Sequence, residues 1–548
     1  MKMKQLALVA LITSSLSLMG CEDSNNASNQ ASETKAAESA PVAVETKPAE
    51  TKATFDAAKV ADNAQARYEG LSKTSQALYD VMLSHAKPMI TLDIKSSDYA
   101  RQEQGATAKS ALNLKFDGKS LDLDKDINIS LTSHDTISYN EALWNEGVEA
   151  RVESKLEFSD ALLKSLEINP EEAPAAVEVL KQLESKSFAR TDFLKDKQVR
   201  SVVEVGSVEI KAPDGSKEFI FKGLNTESNF NEEQILALLG AGEYRYDFKG
   251  IEVKEDAQAL LDFKPFNLQY TLSPAGDLVL KGSALEIDVP KEDGKIKINE
   301  VVGDGKVSAY DTNIASYLGN SNLSFKDIEI KAPDFNGQAY NFGSLHLNSH
   351  SALNDQAYTI SFKLAFDIND KTIKALVPDA PANVEWKQVS FEMEGSRWSA
   401  DLMKLVNQAQ QIQQKLEENP EEAQAFLADA LELVFRDQSN FKLKASLETS
   451  LGAVKLDSLL TPVANVQFDK AKFLEELKSG AFDEKTAGQW FELDALVTAD
   501  AKLLDETGAS MMLMMMGGEL IEQKDGQYRA HFLFKNNEAT VNGKPLPH

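Results

Sequence analysis

Residues 358–368 read YTISFKLAFDI, and their apolar and mostly polar side chains alternate without a break. The apolar positions are Tyr358, Ile360, Phe362, Leu364, Phe366 and Ile368. Because successive side chains of a strand point to opposite faces, the alternation predicts a half-buried strand. Its aromatic face has to be covered by helices, by another sheet or by something acquired from outside. If the helices leave part of it uncovered, that part remains as an apolar groove.

Similar alternation recurs at residues 112–116, 244–248, 266–272 and 528–534. Turn residues separate such runs, including the Pro and Gly of TLSPAGDLVL and the Asp-Gly of QKDGQYRAHF. A helical stretch near residues 57–85 precedes them. We therefore predict a β-dominated α+β fold, with extended antiparallel sheets built from recurring hairpins and strand-helix-helix-strand modules.

Four places combine an aromatic residue, a polar helix cap and an apolar residue that follows the aromatic one by five positions. In chain order these are Phe158, Ser159 and Leu163; Phe230, Asn231 and Ile235; Trp398, Ser399 and Met403; and Phe468, Asp469 and Phe473. The spacing is that of a hydrophobic staple, in which the two apolar side chains pack together and orient the start of a helix. We predict a stapled helix at each of these places.

The sequence LEINPEEAPA, around Pro170, returns as LEENPEEAQA around Pro420. A proline followed by acidic residues is typical of the first turn of a helix, so both copies are interpreted as turns between helices. Such irregular repetition indicates recurrent building units. We predict two related β-rich modules with helical insertions, residues 56–310 and residues 311–548.

The N-terminus has the three-part layout of a secretory signal. Lys2 and Lys4 are followed by an apolar run at residues 6–12 and by small or apolar residues before Cys21. The tetrapeptide LMGC that ends at Cys21 resembles the bacterial lipobox, which precedes a lipid-modified cysteine. This resemblance implies that residues 1–20 are a lipoprotein signal peptide and that Cys21 is lipidated. The alternative is an ordinary signal peptide followed by an incidental cysteine.

Cys21 is the only cysteine of the chain, so it cannot form an internal disulfide. Lipidation would convert its sulfur to a thioether and remove a reactive thiol from an exported protein. The following segment is rich in Ala, Glu, Ser, Thr, Lys and Pro and has almost no large apolar side chain before Phe55. We predict that residues 21–55 are a disordered tether.

The predicted location is the bacterial cell envelope, facing the periplasm. In many lipoproteins an aspartate directly after the lipidated cysteine retains the protein at the inner membrane. Glu22 occupies that position here, which favours the outer membrane, while Asp23 keeps the inner membrane open as an alternative. The expected partners are the membrane, through the lipid at Cys21, and an envelope protein or lipid.

The formal net charge is -28, with 86 acidic against 58 basic side chains. An acidic surface of this kind disfavours nucleic acid and direct adhesion to anionic lipid headgroups, and it favours solubility. We therefore expect no nucleic-acid partner.

Two patterns are reminiscent of metal sites but fit them poorly. His346 and His350 would converge on a metal in a helix, but in a strand their side chains are about 13 Å apart along one face. Asp122, Asp124 and Asp126 resemble the start of a calcium loop, but the sixth position is not glycine and the twelfth is not glutamate. We predict no metal site and no cofactor.

No catalytic residue can be assigned from the sequence. Ser84 and Lys87 have the Ser-x-x-Lys spacing of penicillin-recognising enzymes, but no Lys-Thr-Gly triplet follows. The methionine-rich run SMMLMMMGGEL, residues 510–520, is too short to cross a bilayer. It is interpreted as core packing at an element end, with a soft-metal patch or a pliable contact for a lipid or partner as alternatives.

Three runs carry a family resemblance: NLQYTLSPAGDLVLKG, SFKDIEIKAPDFNGQAYNFGSLHLNS and KDGQYRAHFLFKNNEATVNGKPLP. Together with the hairpin-rich body they resemble the YdgA-like family of bacterial envelope proteins. That family implies no known activity and no catalytic residue, and it typically begins with an uncleaved apolar anchor. Here a lipobox and a tether stand in place of that anchor, so the membrane placement of the family does not transfer.

Two functional classes remain. The first is a non-catalytic, lipid-anchored binding or scaffold protein with a partner or an apolar ligand on its sheet surface. The second is an envelope hydrolase with a carboxylate-based site that the sequence does not disclose. An apolar groove or exposed apolar patch favours the first class, and a deep pocket with two carboxylates in opposed environments favours the second.

Overall fold

The computed structural model describes residues 54–82, 90–118, 126–157, 174–212, 215–314, 316–335, 337–377, 380–411, 419–464, 466–479, 488–517 and 520–546. Strands account for 56% and helices for 25% of the structure, and the strands form one antiparallel sheet. The predicted β-dominated α+β class is therefore confirmed.

The sheet contains 27 strands within the described ranges. Their bounds are β1 Ile90–Gln102, β2 Gly105–Phe116, β3 Ile127–Ser138, β4 Val148–Glu157, β5 Ser187–Leu194, β6 Gln198–Val205, β7 Val208–Lys211, β8 Lys217–Phe221, β9 Leu224–Asn231, β10 Gly242–Phe248, β11 Ile251–Glu255, β12 Gln258–Phe263, β13 Phe266–Leu272, β14 Asp277–Gly282, β15 Leu285–Val289, β16 Gly294–Asp311, β17 Ser316–Lys331, β18 Ala339–Asn354, β19 Ala357–Ile368, β20 Trp386–Trp398, β21 Asn440–Thr449, β22 Gly452–Pro462, β23 Phe491–Asp500, β24 Glu522–Lys524, β25 Gln527–Lys535, β26 Glu538–Val541 and β27 Lys544–Pro545. The alternating runs of the sequence all lie in strands, as predicted.

One long helix precedes the first strand, and the other helices lie in connections between strands. Their bounds are α1 Ala57–Met82, α2 Glu141–Asn145, α3 Pro174–Lys186, α4 Gln234–Ala237, α5 Asp370–Leu376, α6 Ala400–Gln411, α7 Pro420–Asp437, α8 Lys470–Ser479, α9 Ala501–Glu506 and α10 Ala509–Gly517. The predicted helix near residues 57–85 is confirmed up to its end at Met82, and its last predicted residues lie outside the described ranges.

Most strands pair with their neighbours in the chain, from β1 to β6 and again from β16 to β23. Between these two parts the strands bend. Strand β8 pairs with β11, and beyond Gly223 and Gly250 the same two stretches of chain continue as the paired strands β9 and β10. The φ angles of these two glycines are 122° and 114°. A Cβ on Gly223 would lie 2.9 Å from the carbonyl oxygen of Val205, and one on Gly250 would lie 2.5 Å from that of Phe263. Glycine is therefore required where the sheet bends.

The bend folds the N-terminal part of the sheet around a core. Buried side chains of β2–β6, of α3 and of β7 and β8 form one cluster, and residues of β1 and β11 pack against it. A second cluster joins Val60, Ala64 and Tyr68 of α1 to β2–β6. Leu112, Phe193 and Leu183 are at most 1% exposed. One face of the N-terminal strands is thus covered by helices.

Two stapled helices are confirmed. Ser399 accepts a hydrogen bond from the backbone N–H of Leu402 at 3.3 Å, and Trp398 and Met403 share a buried cluster. Asp469 accepts from the N–H of Lys472 at 3.0 Å. The rings of Phe468 and Phe473 lie 5.4 Å apart.

The other two predicted staples differ. Asn231 accepts hydrogen bonds from the N–H groups of Glu233 and Gln234, but α4 that follows has only 4 residues, and Phe230 packs against the cluster around α1. The staple at Phe158 lies outside the described residues.

The prediction that Pro420 stands at the first position of a helix is confirmed, and residues 412–418 before it lie outside the described ranges. Pro420 is the first residue of α7, and the side chain of Asn419 accepts from the N–H of Glu422 at 3.4 Å. The copy around Pro170 lies outside the described residues. The boundary predicted between residues 310 and 311 falls where β16 pairs with β17, so the sheet continues across it and the division into two modules stays a prediction.

Candidate functional site

Cross-strand register aligns the apolar side chains of β17–β23 on one face. Leu364 is opposite Leu347 on one neighbouring strand and Phe391 on the other. The row continues through Ala445 and Leu456 to Val497. We call this surface the open apolar face. It comprises Leu323, Phe325, Leu345, Leu347, Ile360, Phe362, Leu364, Phe366, Ile368, Val389, Phe391, Met393, Phe441, Leu443, Leu447, Leu456, Leu460, Leu493 and Val497.

None of these side chains is buried. The most exposed, at 37% to 44%, are Phe362, Leu364, Val389, Met393, Phe441 and Val497. By contrast, Leu112 and Leu131 of the N-terminal strands are each 1% exposed, in the buried cluster that includes α3. The predicted strand over residues 358–368 is confirmed. The described helices leave its aromatic face uncovered from Ile360 to Ile368, whereas Tyr358 at its start is buried against Met403.

The open apolar face is large for a surface that water contacts. It extends about 27 Å along β19, from Ile360 to Ile368, and about 29 Å across seven strands, using ordinary strand spacings. Its projected area is therefore roughly 800 Å², whereas the largest apolar patch of a typical monomer covers about 300–600 Å². Patches of this size mark binding surfaces.

The opposite face of the same strands carries mostly polar side chains, with the exposed Leu459 and Leu496 as exceptions. Lys444 is 2.6 Å from Glu392 on the next strand, and this hydrogen bond raises the pKa of the lysine. Ser390 and Ser446 are hydrogen bonded at 2.8 Å. Exposed ion pairs of this type are common on solvated surfaces and contribute little to stability. The two faces of these strands thus differ in polarity.

Helices close one end of the open apolar face. Met403 of α6 packs with the buried Tyr358 of β19. Phe435 of α7 stacks on Phe468 at a ring distance of 5.1 Å, and its ring lies 5.7 Å from that of Trp490. These contacts lie at the ends of the strands, so the stapled helices seal a rim and do not cover the middle of the sheet.

Helices α9 and α10 lie at the other end of the strands. The buried Leu503 and Leu504 of α9 follow directly after β23. Tyr528 of β25 is opposite Ala499, on the same face as the open apolar face, and its hydroxyl donates to Asp505 at 3.4 Å. Within the described ranges, no helix is long and apolar enough to span a membrane.

A small cavity of about 60 Å³ lies under α1. It contains Asp135, which is 2% exposed and accepts hydrogen bonds from the hydroxyls of Tyr68, Ser110 and Ser133. Burial, followed by the charge of Asp135, raises the pKa of Tyr68. Asp135 is the one carboxylate in the lining of this cavity, so the cavity does not offer the pair of carboxylates expected of a hydrolase.

A wide depression at the ends of β18–β20 holds Asp367, Asp370 and Glu385. Burial raises the pKa of Asp370, but hydrogen bonds from Lys374 and from the N–H of Trp386 outweigh it and leave the pKa below its ordinary value. A general acid at neutral pH needs a raised pKa. The described carboxylates with a clearly altered pKa are Asp126, Glu218, Glu255, Asp262, Asp277 and Asp370, and all have it lowered.

The residues singled out for metal chemistry are engaged elsewhere or lie outside the described ranges. His346 and His350 are both on β18, as predicted; His346 contacts Asp367 and Ser324, and His350 contacts Asn320. The described residues contain no group of three or more His, Cys, Asp or Glu side chains that could hold a metal ion.

Other predicted positions lie outside the described residues: Cys21, Ser84, Lys87, Asp122 and Asp124. Asp126 is described, and it accepts from Lys115 and from the N–H of Gly118. From the sequence we expected an apolar groove on the sheet, but the sequence did not predict that the open apolar face extends over β17–β23. Its signal was the alternation within each strand, but the alignment of strands and the absence of cover are tertiary features.

Residues 150–548 match the model of a family described as "Bacterial protein of unknown function (DUF945)". No curated protein matches the chain.

Proposed function

Because the chain belongs to the bacterial family of unknown function DUF945, we propose its function from its geometry. It is a non-catalytic envelope protein whose open apolar face binds an apolar ligand, the acyl chains of a lipid. The observation that carries this proposal is the exposure of aligned apolar side chains across β17–β23. Water contact with such a surface is unfavourable by about 25 cal/mol per Å².

The strand pairing argues for acyl chains over an added β-strand. Strands β17–β23 are each paired on both sides, so their backbone N–H and C=O groups are already used. An extended peptide lying across the face would bury its own backbone groups without partners, which costs free energy. An acyl chain has no polar groups to satisfy along its length.

The shape of the open apolar face also suits acyl chains. Its length along β19, about 27 Å, exceeds that of an extended acyl chain of eighteen carbons, and several chains fit side by side across the strands. The helical rim at Met403 and Phe435 closes one end. The other end lies beside α9 and α10, where a chain can enter.

The anchor belongs to the same proposal. A lipid at Cys21 and the tether of residues 21–55 would keep the body near a membrane, in the envelope and facing the periplasm, with the outer membrane favoured. The kinship with YdgA-like proteins also stays a proposal. A hydrolase remains the alternative that the experiment below tests.

The experiment is native mass spectrometry of the chain from residue 22, which keeps every described residue and lacks the predicted signal peptide and lipid. We expect a mass increment that corresponds to bound lipid and is released on activation. Leu364→Glu places a charge in the middle of the open apolar face and should abolish the increment. Asn348→Glu is the matched control, because it adds the same charge on the polar face opposite Lys363.

Each outcome decides the proposal. Lipid on the native chain and on Asn348→Glu, but not on Leu364→Glu, supports it. A co-purifying protein that Leu364→Glu releases would replace the lipid with a protein partner. A clean monomer without lipid, which hydrolyses an ester or amide substrate, would favour the hydrolase.

A further inference from the structure

Helix α10, with the sequence ASMMLMMMG, has no charged side chain and one hydroxyl. Met511 and Met515 are 70% and 74% exposed, more than any other large apolar side chain described. They are four residues apart and therefore lie one turn from each other on the same side of the helix. The exposed side of α10 is thus a methionine surface. The interpretation of this run as core packing does not hold for these two residues.

The location of α10 connects it to the open apolar face. Tyr528, on that face of β25, donates to Asp505 near the end of α9, and α10 begins shortly after it at Ala509. A row of directly opposed residues joins Tyr528 to the open apolar face. From β25 to β21 this row is Tyr528, Ala499, Val454 and Leu447, and Leu447 belongs to the face. The methionine surface therefore stands at the end of the face that the stapled helices leave free.

The composition of α10 fits a lipid bilayer better than a protein surface. Interfaces with another protein usually have a polar rim with hydrogen bonds, whereas the 9 residues of α10 supply no charge and one hydroxyl, that of Ser510. With 9 residues it is about 14 Å long, too short to cross a bilayer but long enough to lie in its interface. Flexible methionine side chains adapt to such a fluid environment.

The charges around α10 restrict the type of membrane contact. Asp505 and Glu506 end the preceding helix, and the chain carries a net charge of -28. Interfacial helices that bind by electrostatic attraction are rich in Lys and Arg, which α10 lacks. Contact must then depend on apolar insertion and be insensitive to salt.

We propose that α10 inserts into the interface of a lipid bilayer, and that its methionine surface is the point where the open apolar face meets the membrane. The first part stands on α10 alone. The second part, that lipid passes there, rests on the proposed function.

The test uses the absence of cysteine from the chain that begins at residue 22. Met511→Cys, Met515→Cys and the control Leu427→Cys each provide a single thiol for an environment-sensitive fluorophore. Leu427 is 46% exposed and lies on α7, at the opposite end of the strands. The probe is a vesicle of phosphatidylcholine. With vesicles, we expect the fluorophore emission at positions 511 and 515 to shift to the blue and to be quenched by lipids that carry a quencher near the headgroup. At position 427 we expect neither change.

A second measurement gives the affinity. Met511→Ser combined with Met515→Ser should lower the vesicle partition coefficient of the otherwise unchanged chain about tenfold to a hundredfold, from the loss of two apolar side chains. The coefficient should be the same in 0.05 M and 0.5 M salt. Water-like emission of both labelled positions with vesicles would overturn the proposal, as would binding that needs anionic lipid or disappears in salt. A blue shift that depends on protein concentration without vesicles would assign the surface to a second copy.

The two proposals can fail separately. Leu364→Glu should lose bound lipid and keep vesicle insertion, whereas the double serine variant should keep lipid already bound and lose insertion. If both variants behave like the native chain in vesicle binding, α10 is not the insertion point, whatever the mass spectra show.

Discussion

Phe362 and Met393 are directly opposite each other on β19 and β20, and both stay more than a third exposed, at 39% and 37%. Pairs of this kind normally form the core of a sheet protein. Because water still contacts both side chains, we expect Phe362→Ala to lower the free energy of unfolding by only about 1 kcal/mol. Urea unfolding followed by circular dichroism measures this value.

Phe193 is the matched control, since it is the same residue type at 0% exposure under Arg67. Phe193→Ala should cost about 3–5 kcal/mol. Equal losses for the two phenylalanines would mean that the open apolar face is covered in solution.

Trp398 packs over Gly395, where any Cβ would overlap the indole ring. We expect Trp398→Ala to cost about 2–3 kcal/mol, because the half-buried indole staples α6 to the end of β20. Gly395→Ala should cost about 1–3 kcal/mol through overpacking. In the Trp398→Ala background, Gly395→Ala should cost much less, and additive losses in this double-mutant cycle would refute the contact.

The hydrogen bonds to Asp135 are expected to hold α1 against the sheet, because Tyr68 of α1 donates one of them. Asp135→Ala leaves Tyr68, Ser110 and Ser133 without their acceptor in a buried site, and should cost about 2–3 kcal/mol. Tyr68→Phe removes one donor and should cost about 1 kcal/mol. Thermal unfolding of the two variants tests which loss of stability is larger, and a larger loss for Tyr68→Phe than for Asp135→Ala would contradict this prediction.

Acid sensitivity is expected at Asp262. Partial burial raises its pKa, but hydrogen bonds from Lys264 at 2.5 Å and Lys222 at 3.1 Å outweigh it, so the pKa in the folded state is lowered. A lowered pKa stabilises the fold above the unfolded-state value of about 3.9, and this contribution is lost as pH falls through the folded-state pKa.

The corresponding variant is Asp262→Asn, which cannot titrate. It should be less stable than the native chain at pH 6, and the difference should shrink between pH 4 and pH 2. Unfolding free energies measured at several pH values test this. A difference that grows towards low pH would contradict a lowered pKa of Asp262 in the folded state.

Membrane attachment is expected to depend on Cys21. Cys21→Ser removes the proposed acceptor of the lipid, so the body should stay folded but lose stable membrane association. Fractionation after a high-salt wash measures attachment. Retention of the serine variant to the level of the native chain would show that another segment anchors the protein.

Local patterns were sufficient for the elements. The alternation over residues 266–272 and 358–368 places strands there because side chains of a strand alternate between faces. Asn419 and Asp469 cap helices because a short polar side chain satisfies an otherwise free N–H group. These effects act within a few residues, so the sequence by itself determined the class, the caps and two of the staples.

Tertiary structure decided the site. The hydrogen bond from Tyr68 to Asp135 joins positions 67 residues apart, and no local pattern announces it. Likewise, every strand of the open apolar face has the alternation of a half-buried strand, whether or not a helix covers it. Cover depends on where α6–α8 pack, and they pack at the strand ends. The sequence therefore determined which side chains share a face, and only the assembled fold decided that Phe362 and Leu364 stay open to a ligand, because burial is a property of neighbours distant in the chain.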